Sequence, residues 1–223
     1  DLPAIPVVDE NESLIGRITF DDVVDVIKEE AEKDYQMASG ISESVESSDS
    51  IWLLTRARLP WLLVGLLGGI LGAQVIGLFE AEIELYPKMA LFIPLIAAMG
   101  GNVGVQSSAI IVQGLANNTL ESKQILSKLL KEFGVATLNG IACTLIIFLY
   151  VIAFDSEIDL AFTISTSLFS VIIFAGIFGT LIPLLLNKYK IDPALATGPF
   201  ITTLNDVFGL LLYFLIGTLM YFQ

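Results

Sequence analysis

Five long apolar stretches dominate the hydropathy pattern of the chain. They are Leu59–Phe79, Met89–Val112, Phe133–Phe154, Phe162–Leu186 and Gly198–Phe222, and short polar connections separate them. An α-helix rises 1.5 Å per residue, so about 20 apolar residues cross a hydrocarbon core about 30 Å thick. Each stretch is long enough to do so. The pattern therefore predicts an all-α integral membrane protein with five transmembrane helices per subunit.

The first 40 residues have a different pattern, in which short apolar runs alternate with polar turns. Ala4–Val8 and Leu14–Thr19 are predicted strands, and an amphipathic helix is predicted to begin at Phe20. Residues 41–58 are rich in Ser and Glu and then become amphipathic, which predicts a linker and an interfacial helix. We therefore expect a short α/β head at 1–40, a linker and connecting helix at 41–58, and a five-helix pore domain at 59–223.

Composition narrows the possible functions. The chain is 55% hydrophobic with a mean hydropathy of +0.78, which is typical of a membrane protein. It has no His and one Cys, Cys143, which excludes a His/Cys zinc site, a Ser-His-Asp triad and a disulfide framework. The net charge of −13 comes mainly from residues 1–50, where 14 acidic residues face three basic ones. This acidity argues against nucleic-acid binding.

Lys and Arg are distributed unevenly among the predicted connections. Only Lys88 lies on one side of the membrane. The seven on the other side are Arg56, Arg58, Lys123, Lys128, Lys131, Lys188 and Lys190. The positive-inside rule predicts a cytoplasmic N-terminus and an external C-terminus. We expect a multi-pass protein of the cell (inner) membrane. The acidic outer connections either gather cations at an entrance or solvate the outer surface, and the sequence favours neither interpretation.

One carboxylate, that of Asp206, lies well inside the fifth apolar stretch, deeper than any other charged residue in its stretch. An ionisable group in hydrocarbon costs at least about 2.5–3.5 kcal/mol, so it normally faces a pore, a cavity or a partner. Gly198, Thr202, Asp206 and Gly209 recur at helical spacing and share a face. This face indicates a cation path. A protonated structural carboxyl and a proton relay remain as alternatives.

The second apolar stretch carries a polar segment in its middle. Asn102 and Gln106 are four residues apart and share a helical face, while Gly100, Gly101 and Gly104 thin the helix and expose carbonyl oxygens. Amide and backbone oxygens are hard ligands that suit Mg²⁺ or Ca²⁺ or their hydration shells. The alternative is that the two amides only bond to neighbouring helices. Beside Asp206, the pore-lining interpretation is favoured.

Together these positions form a candidate metal-binding set. Its members are Asp206, Asn102, Thr202, Gln106, Gly101 and Thr203. A divalent ion calls for more than one carboxylate. A homodimer with its pore on the two-fold axis supplies two copies of Asp206 from one sequence position.

Two motifs resemble the membrane domain of the MgtE family of Mg²⁺ channels and transporters. They are GGNVGVQ (100–106) and DPALATGPFITTLNDVFG (192–209), in this order and at this spacing. The resemblance covers about residues 1–223. It implies a homodimer with one pore, lined mainly by the second and fifth spans. It also implies that Asp206 is the central Mg²⁺ site, Asn102 the asparagine of the first motif, and Thr202 the threonine one turn before the aspartate.

The head carries a weaker resemblance. The junction Gly16–Asp22 resembles the closing part of a CBS motif, so the head is expected to be the end of a CBS domain. In that family the matching Thr and Asp, here Thr19 and Asp22, contact a nucleotide ribose. The plainer interpretation is that Thr19 only caps the following helix. ATP is expected as a partner only if the full CBS module is present.

The expected function is passive, potential-driven Mg²⁺ uptake, with Ca²⁺ or Mn²⁺ as possible substitutes for the ion. Two inward charges gain about 4.6 kcal/mol per 100 mV, so ATP hydrolysis is not required, and no P-loop is visible. The alternative is a proton- or Na⁺-coupled carrier. An intramembrane aspartyl enzyme needs two carboxylates sharing a proton, and the chain shows one intramembrane Asp, so no enzyme is expected. A purely structural or sensory membrane protein also remains open.

Overall fold

A computed structural model of the chain describes residues 3–117 and 125–221 and is mostly helical. The described residues form strands β1 (Ala4–Val8) and β2 (Leu14–Thr19) and helices α1 (Phe20–Ala38), α2 (Ile51–Leu78), α3 (Glu80–Leu85), α4 (Ile93–Ala116), α5 (Ile125–Phe154), α6 (Ile158–Lys188) and α7 (Pro199–Met220). Two 3₁₀ turns, Pro87–Phe92 and Pro193–Ala196, lead into α4 and α7.

The five predicted spans are confirmed. Helices α2, α5, α6 and α7, and α4 together with its 3₁₀ turn, are long and apolar enough to cross a membrane. Lys123 and the predicted end of the fifth span at Phe222 lie outside the described residues. No break in the helix marks the predicted boundary between the connecting segment and the pore domain near residue 58. Helix α2 begins at Ile51 and continues through Pro60. A proline is tolerated inside a membrane helix where neighbouring groups satisfy the freed backbone.

The head is a β-hairpin followed by α1. Strands β1 and β2 pair antiparallel, from Ala4 opposite Thr19 to Val8 opposite Leu14. Thr19 is the N-cap of α1, since its side chain accepts from the Asp22 N–H while the Asp22 carboxylate accepts from the Thr19 N–H. The Thr19 hydroxyl also donates to the Asp22 carboxylate at 2.6 Å, and this hydrogen bond, together with the one from the Thr19 N–H, lowers the pKa of Asp22. Thr19 therefore caps α1, and its contact with a nucleotide stays a prediction.

Helix α6 is the centre of the bundle, because α4, α5 and α7 all pack against it. Its buried face supplies Leu160, Ile164, Leu168 and Ile172, all at most 2% exposed. Helix α2 packs mainly on α7 and leaves most of its apolar surface exposed. The bundle therefore holds α4 and α7 side by side against α6, with α2 on the outer flank of α7.

The head contacts the beginning of α7. Gly40 and Gly198 both have a positive φ, of 77° and 55°. A methyl group on Gly40 would lie 2.7 Å from Pro199 Cγ, and one on Gly198 would lie 2.5 Å from the Ala38 carbonyl oxygen. Both positions therefore require glycine for conformation and for space. This contact fixes where α7, which carries Asp206, begins.

Candidate ion-binding site

Asp206 lies in the inner third of α7 under the predicted orientation, about 10 Å along the helix from Pro199 at 1.5 Å per residue. Its side chain is partly buried. Within the described ranges, no hydrogen bond or ion pair reaches its carboxylate. A carboxylate in a membrane helix that lacks a basic partner is a candidate for an ion pathway.

Helix α4 meets this carboxylate at Gly101. A methyl group on Gly101 would lie 3.5 Å from Thr202 Cγ2 and 3.7 Å from Asp206 Oδ1. Because glycine has no side chain, the backbone of α4 comes directly beside the carboxylate. The Thr202 hydroxyl donates to the Pro199 carbonyl at 3.1 Å, so its oxygen keeps acceptor capacity. Gly101, Thr202 and Asp206 thus form one contact between α4 and α7, which we call the α4–α7 contact.

Asn102 and Gln106 lie beside the α4–α7 contact and not in it. At 3.6 residues per turn they are about 100° and 140° around the α4 axis from Gly101. Both side chains are exposed in the single chain, and neither makes a hydrogen bond to another described residue. They present a polar face next to the carboxylate, available to an ion, to water or to a second subunit.

Thr203 lies on a different face of α7 from Thr202 and Asp206. It faces α2, where a methyl group on Gly68 would overlap the Thr203 side chain. Gly68 is buried for the same reason. Thr203 therefore packs α2 against α7, one residue away from the face that carries Thr202 and Asp206.

Asn205 is a polar residue that the sequence reasoning missed. It is 1% exposed, and neither its Oδ1 nor its Nδ2 has a hydrogen-bond partner among the described residues. Its amide lies against Gly104, where any side chain would overlap it. The signal was present in the sequence, since an asparagine next to Asp206 in an apolar stretch is as unusual as the aspartate itself.

Glu132 was missed as well. The predicted third span begins at Phe133, which left Glu132 in a connection beside Lys131, but α5 begins at Ile125 and includes it. Its carboxylate accepts a hydrogen bond from the Ser107 hydroxyl of α4 at 2.6 Å. Asp206 is therefore not the only carboxylate within the described spans. Residues 115–132 were predicted to form a short interfacial helix between the second and third spans, because lysines alternate with leucines there, so Glu132 was not counted with a span.

A second group of charges lies at the opposite end of the bundle. Lys88 forms ion pairs with Asp155 at 2.9 Å and with Glu157 at 2.8 Å. The Tyr221 hydroxyl donates to the other Glu157 oxygen at 2.8 Å. The hydrogen bonds from Lys88 and Tyr221 lower the pKa of Glu157. Burial and the hydrogen bond to Glu157 raise the pKa of Tyr221 to about 12, so it remains a donor.

The described residues contain no group of three or more Asp, Glu, Cys or His that could enclose a metal ion. The α4–α7 contact accordingly offers one carboxylate, one hydroxyl and the backbone of Gly101. This donor set is too small to replace the whole hydration shell of a divalent ion, which takes six or more oxygens. An ion held there keeps most of its waters or receives ligands from a second copy of the chain.

Comparison with known proteins identifies the same region. A family model described as "MgtE: Divalent cation transporter" matches residues 93–216. This range begins at the first residue of α4 and extends into α7, so it includes the whole α4–α7 contact.

Curated relatives extend the similarity over nearly the whole chain. The protein named "Magnesium transporter MgtE" from Bacillus subtilis is 37% identical over 218 residues, 98% of this chain and 48% of the relative. The protein of the same name from Enterococcus faecalis is 35% identical over 98% of this chain and 48% of the relative. The one from Thermus thermophilus is 34% identical over 99% of this chain and 49% of the relative. The chain spans about half the length of the curated relatives it matches.

Proposed function

The chain belongs to the MgtE family of divalent cation transporters, and on that premise we propose that it conducts Mg²⁺ passively into the cell. The membrane potential drives the ion. The observation that carries this proposal is the Asp206 carboxylate, which lies within a membrane helix without a basic partner among the described residues. The relatives' printed names support Mg²⁺ as the ion.

The donor set suits a hydrated ion. Mg²⁺ dehydrates reluctantly and usually keeps several waters while it touches one or two carboxylates. Asp206 supplies the negative charge. The Thr202 hydroxyl and the Gly101 carbonyl accept hydrogen bonds from the water molecules bound to the ion. Sparse ligation keeps the affinity low enough for the ion to leave, which conduction requires. Ca²⁺ or Mn²⁺ substitutes where the path tolerates a different hydration shell.

The proposed pore lies on the two-fold axis of a homodimer. One chain supplies one carboxylate to the site, and a second copy doubles it. Asn102 and Gln106 are exposed polar residues beside the site, as expected of a face that looks into a shared pore. Gly65 and Gly69 of α2 have open space in front of them, and small residues at this spacing allow close helix packing in membranes.

The head is proposed to be the end of a CBS domain on the cytoplasmic side, followed by the linker and connecting segment at 41–58 and the pore domain at 59–223. The excess of Lys and Arg on that side supports this orientation in the cell (inner) membrane, with the C-terminus outside. ATP is a proposed partner only of a complete CBS module.

The second candidate function is a carrier that couples Mg²⁺ to protons or Na⁺. The unpaired Asp206 favours it as well, because the same carboxylate can bind a monovalent cation in alternation with Mg²⁺. The two mechanisms differ in what drives them. A carrier responds to an imposed proton or Na⁺ gradient at zero potential, whereas a passive channel does not.

The test is Mg²⁺ uptake into proteoliposomes under an imposed negative-inside potential. The Asp206→Asn variant keeps the size and hydrogen-bonding capacity of the side chain but removes its charge, so we expect uptake to fall at least about tenfold, a loss of about 1.4 kcal/mol or more. The matched control is Asp25→Asn, which removes one exposed charge from α1 and leaves uptake unchanged. Equal uptake by native and Asp206→Asn dimers would remove Asp206 from the path.

A further inference from the structure

Glu132 is a carboxylate of α5 that the proposed ion path does not use. We propose that it is a positioning residue of the path, which fixes the rotation of α4 through its hydrogen bond to Ser107. This inference rests on the proposed function, because it takes α4 as a wall of the path.

The position of Glu132 calls for an explanation. It lies two turns into α5, within a helix that qualifies as a membrane span. Its side chain is partly buried, and a partly buried carboxylate costs free energy unless it is hydrogen-bonded, so it normally has a partner. Among the described residues it forms no ion pair, and its hydrogen-bond partner is the Ser107 hydroxyl, at 2.6 Å. Ser107 is 4% exposed, so this hydrogen bond is shielded from solvent on the α4 side.

A notch in α6 makes the hydrogen bond possible. Helix α5 packs along α6 rather than along α4, so its carboxylate has to pass α6 to reach Ser107. Gly176 of α6 supplies the space. A methyl group at Gly176 would lie 3.0 Å from Glu132 Oε1 and 3.2 Å from Ala136 Cβ, both tighter than ordinary contacts. The absence of a side chain at Gly176 therefore lets the Glu132 carboxylate reach the Ser107 hydroxyl.

The hydrogen bond acts on the flank of α4 that is turned away from the ion path. Ser107 is about 240° around the helix from Gly101 and about 9 Å along it. Gly104 lies between them and is in close contact with both Asn205 and Gly179. The Asn205 amide makes no hydrogen bond to another described residue, so this tight packing includes no directional bond from that side chain. The Glu132–Ser107 hydrogen bond supplies a directional constraint that the glycines lack.

A small rotation of α4 about its axis moves the side chains that face the ion path by a large distance. With side chains a helix is about 10–12 Å across, so a rotation of about 20° moves a side-chain tip such as the Asn102 amide by about 2 Å. A hydrogen bond to the hydration shell of an ion needs a donor–acceptor distance of about 2.7–3.2 Å, so a displacement of this size breaks it. Loss of the constraint is therefore expected to change which ions the path accepts before it unfolds the bundle.

Four variants separate the hydrogen bond from the charge and from the fold. Glu132→Gln keeps a carbonyl acceptor for Ser107, whereas Glu132→Leu removes it and Ser107→Ala removes the donor. The matched control is Thr137→Val, which deletes an α5 hydroxyl whose hydrogen bond stays within its own helix, to the Phe133 carbonyl at 2.7 Å. The readout is the ratio of Mg²⁺ to Ca²⁺ uptake in proteoliposomes.

We expect Glu132→Leu and Ser107→Ala each to lower the ratio about fivefold, the loss of one hydrogen bond. The double variant should be no worse than either single one, while Glu132→Gln and Thr137→Val keep the native ratio. A native ratio in Ser107→Ala, which is small enough to fold, overturns the proposal. So does a Glu132→Gln variant as defective as Glu132→Leu, because then the charge and not the hydrogen bond is required.

A second readout works without any ion flux. In a Cys143→Ser background, a Gln106→Cys probe is allowed to react with a water-soluble thiol reagent in liposomes free of divalent ions. Its reaction rate should change when Glu132→Leu is added and stay the same when Thr137→Val is added. An unchanged rate with Glu132→Leu overturns the role of Glu132. Absence of Mg²⁺ uptake by the native chain contradicts the proposed function alone.

Discussion

The two ends of the bundle treat acidic residues in opposite ways. At one end Lys88 neutralises Asp155 and Glu157 through two ion pairs, and Tyr221 binds the remaining Glu157 oxygen. At the α4–α7 contact, Asp206 lies against Gly101 and Thr202 with no basic residue beside it among the described residues. The charges of the first group are paired with one another, and the group links the α5–α6 connection to the 3₁₀ turn before α4 and to the residue after α7. The second has an unsatisfied charge, which is what a cation site requires.

The largest expected effect comes from making the second region resemble the first. Thr202→Lys places an ammonium group one helical turn before Asp206, where i and i+4 side chains meet. The new ion pair should neutralise the carboxylate much as Lys88 neutralises its partners, and reduce Mg²⁺ uptake at least about tenfold. Thr202→Val, which removes only the hydroxyl, is the control and should reduce uptake less. Native uptake by an intact Thr202→Lys dimer would contradict the proposed path.

A smaller effect is expected at Gly101. A methyl group there would lie 3.5–3.7 Å from Thr202 and Asp206, which is ordinary van der Waals contact. Gly101→Ala should therefore fold, but its methyl group excludes water from one side of the carboxylate, and we expect uptake to fall about two- to tenfold, up to about 1.4 kcal/mol. Gly77→Ala at the end of α2 is the matched control, because nothing lies within 4 Å of its added methyl group. Equal uptake by both variants would mean that the ion does not pass Gly101.

The sequence predicted the spans well and their ends less well. Hydropathy located all five helices because a membrane imposes a minimum apolar length. It could not locate the first residue of α2 or α5, since both helices continue past the apolar run into polar sequence at Ile51 and Ile125. Glu132 was assigned to a connection for this reason.

Within the candidate set, the sequence predicted which helices meet but not every face. The helical spacing placed Thr202 and Asp206 on one side of α7, and the structure puts both against Gly101. Thr203 differs from Thr202 by one position, yet it packs on Gly68 of α2. Which neighbour covers each face depends on the order of helices in the bundle, and single-chain periodicity contains no information about that order.

The smallest expected effect lies at the compensated end and concerns stability rather than transport. Hydrogen bonds from Lys88 and Tyr221 lower the pKa of Glu157 below its usual value of 4.5. A lowered pKa means that the carboxylate stabilises the fold at pH values above its unfolded pKa, and that this contribution disappears as the pH falls through the folded pKa. Glu157→Gln should therefore lower the thermal unfolding midpoint slightly at pH 7, and the difference from the native chain should shrink as the pH falls below 4.5. Mg²⁺ uptake at pH 7 should remain within about twofold of native, because the change lies outside the path. A stability difference that does not shrink below pH 4.5 would show that the Glu157 charge does not stabilise this end of the bundle. A large loss of uptake would place the outer cluster on the ion path alongside Asp206.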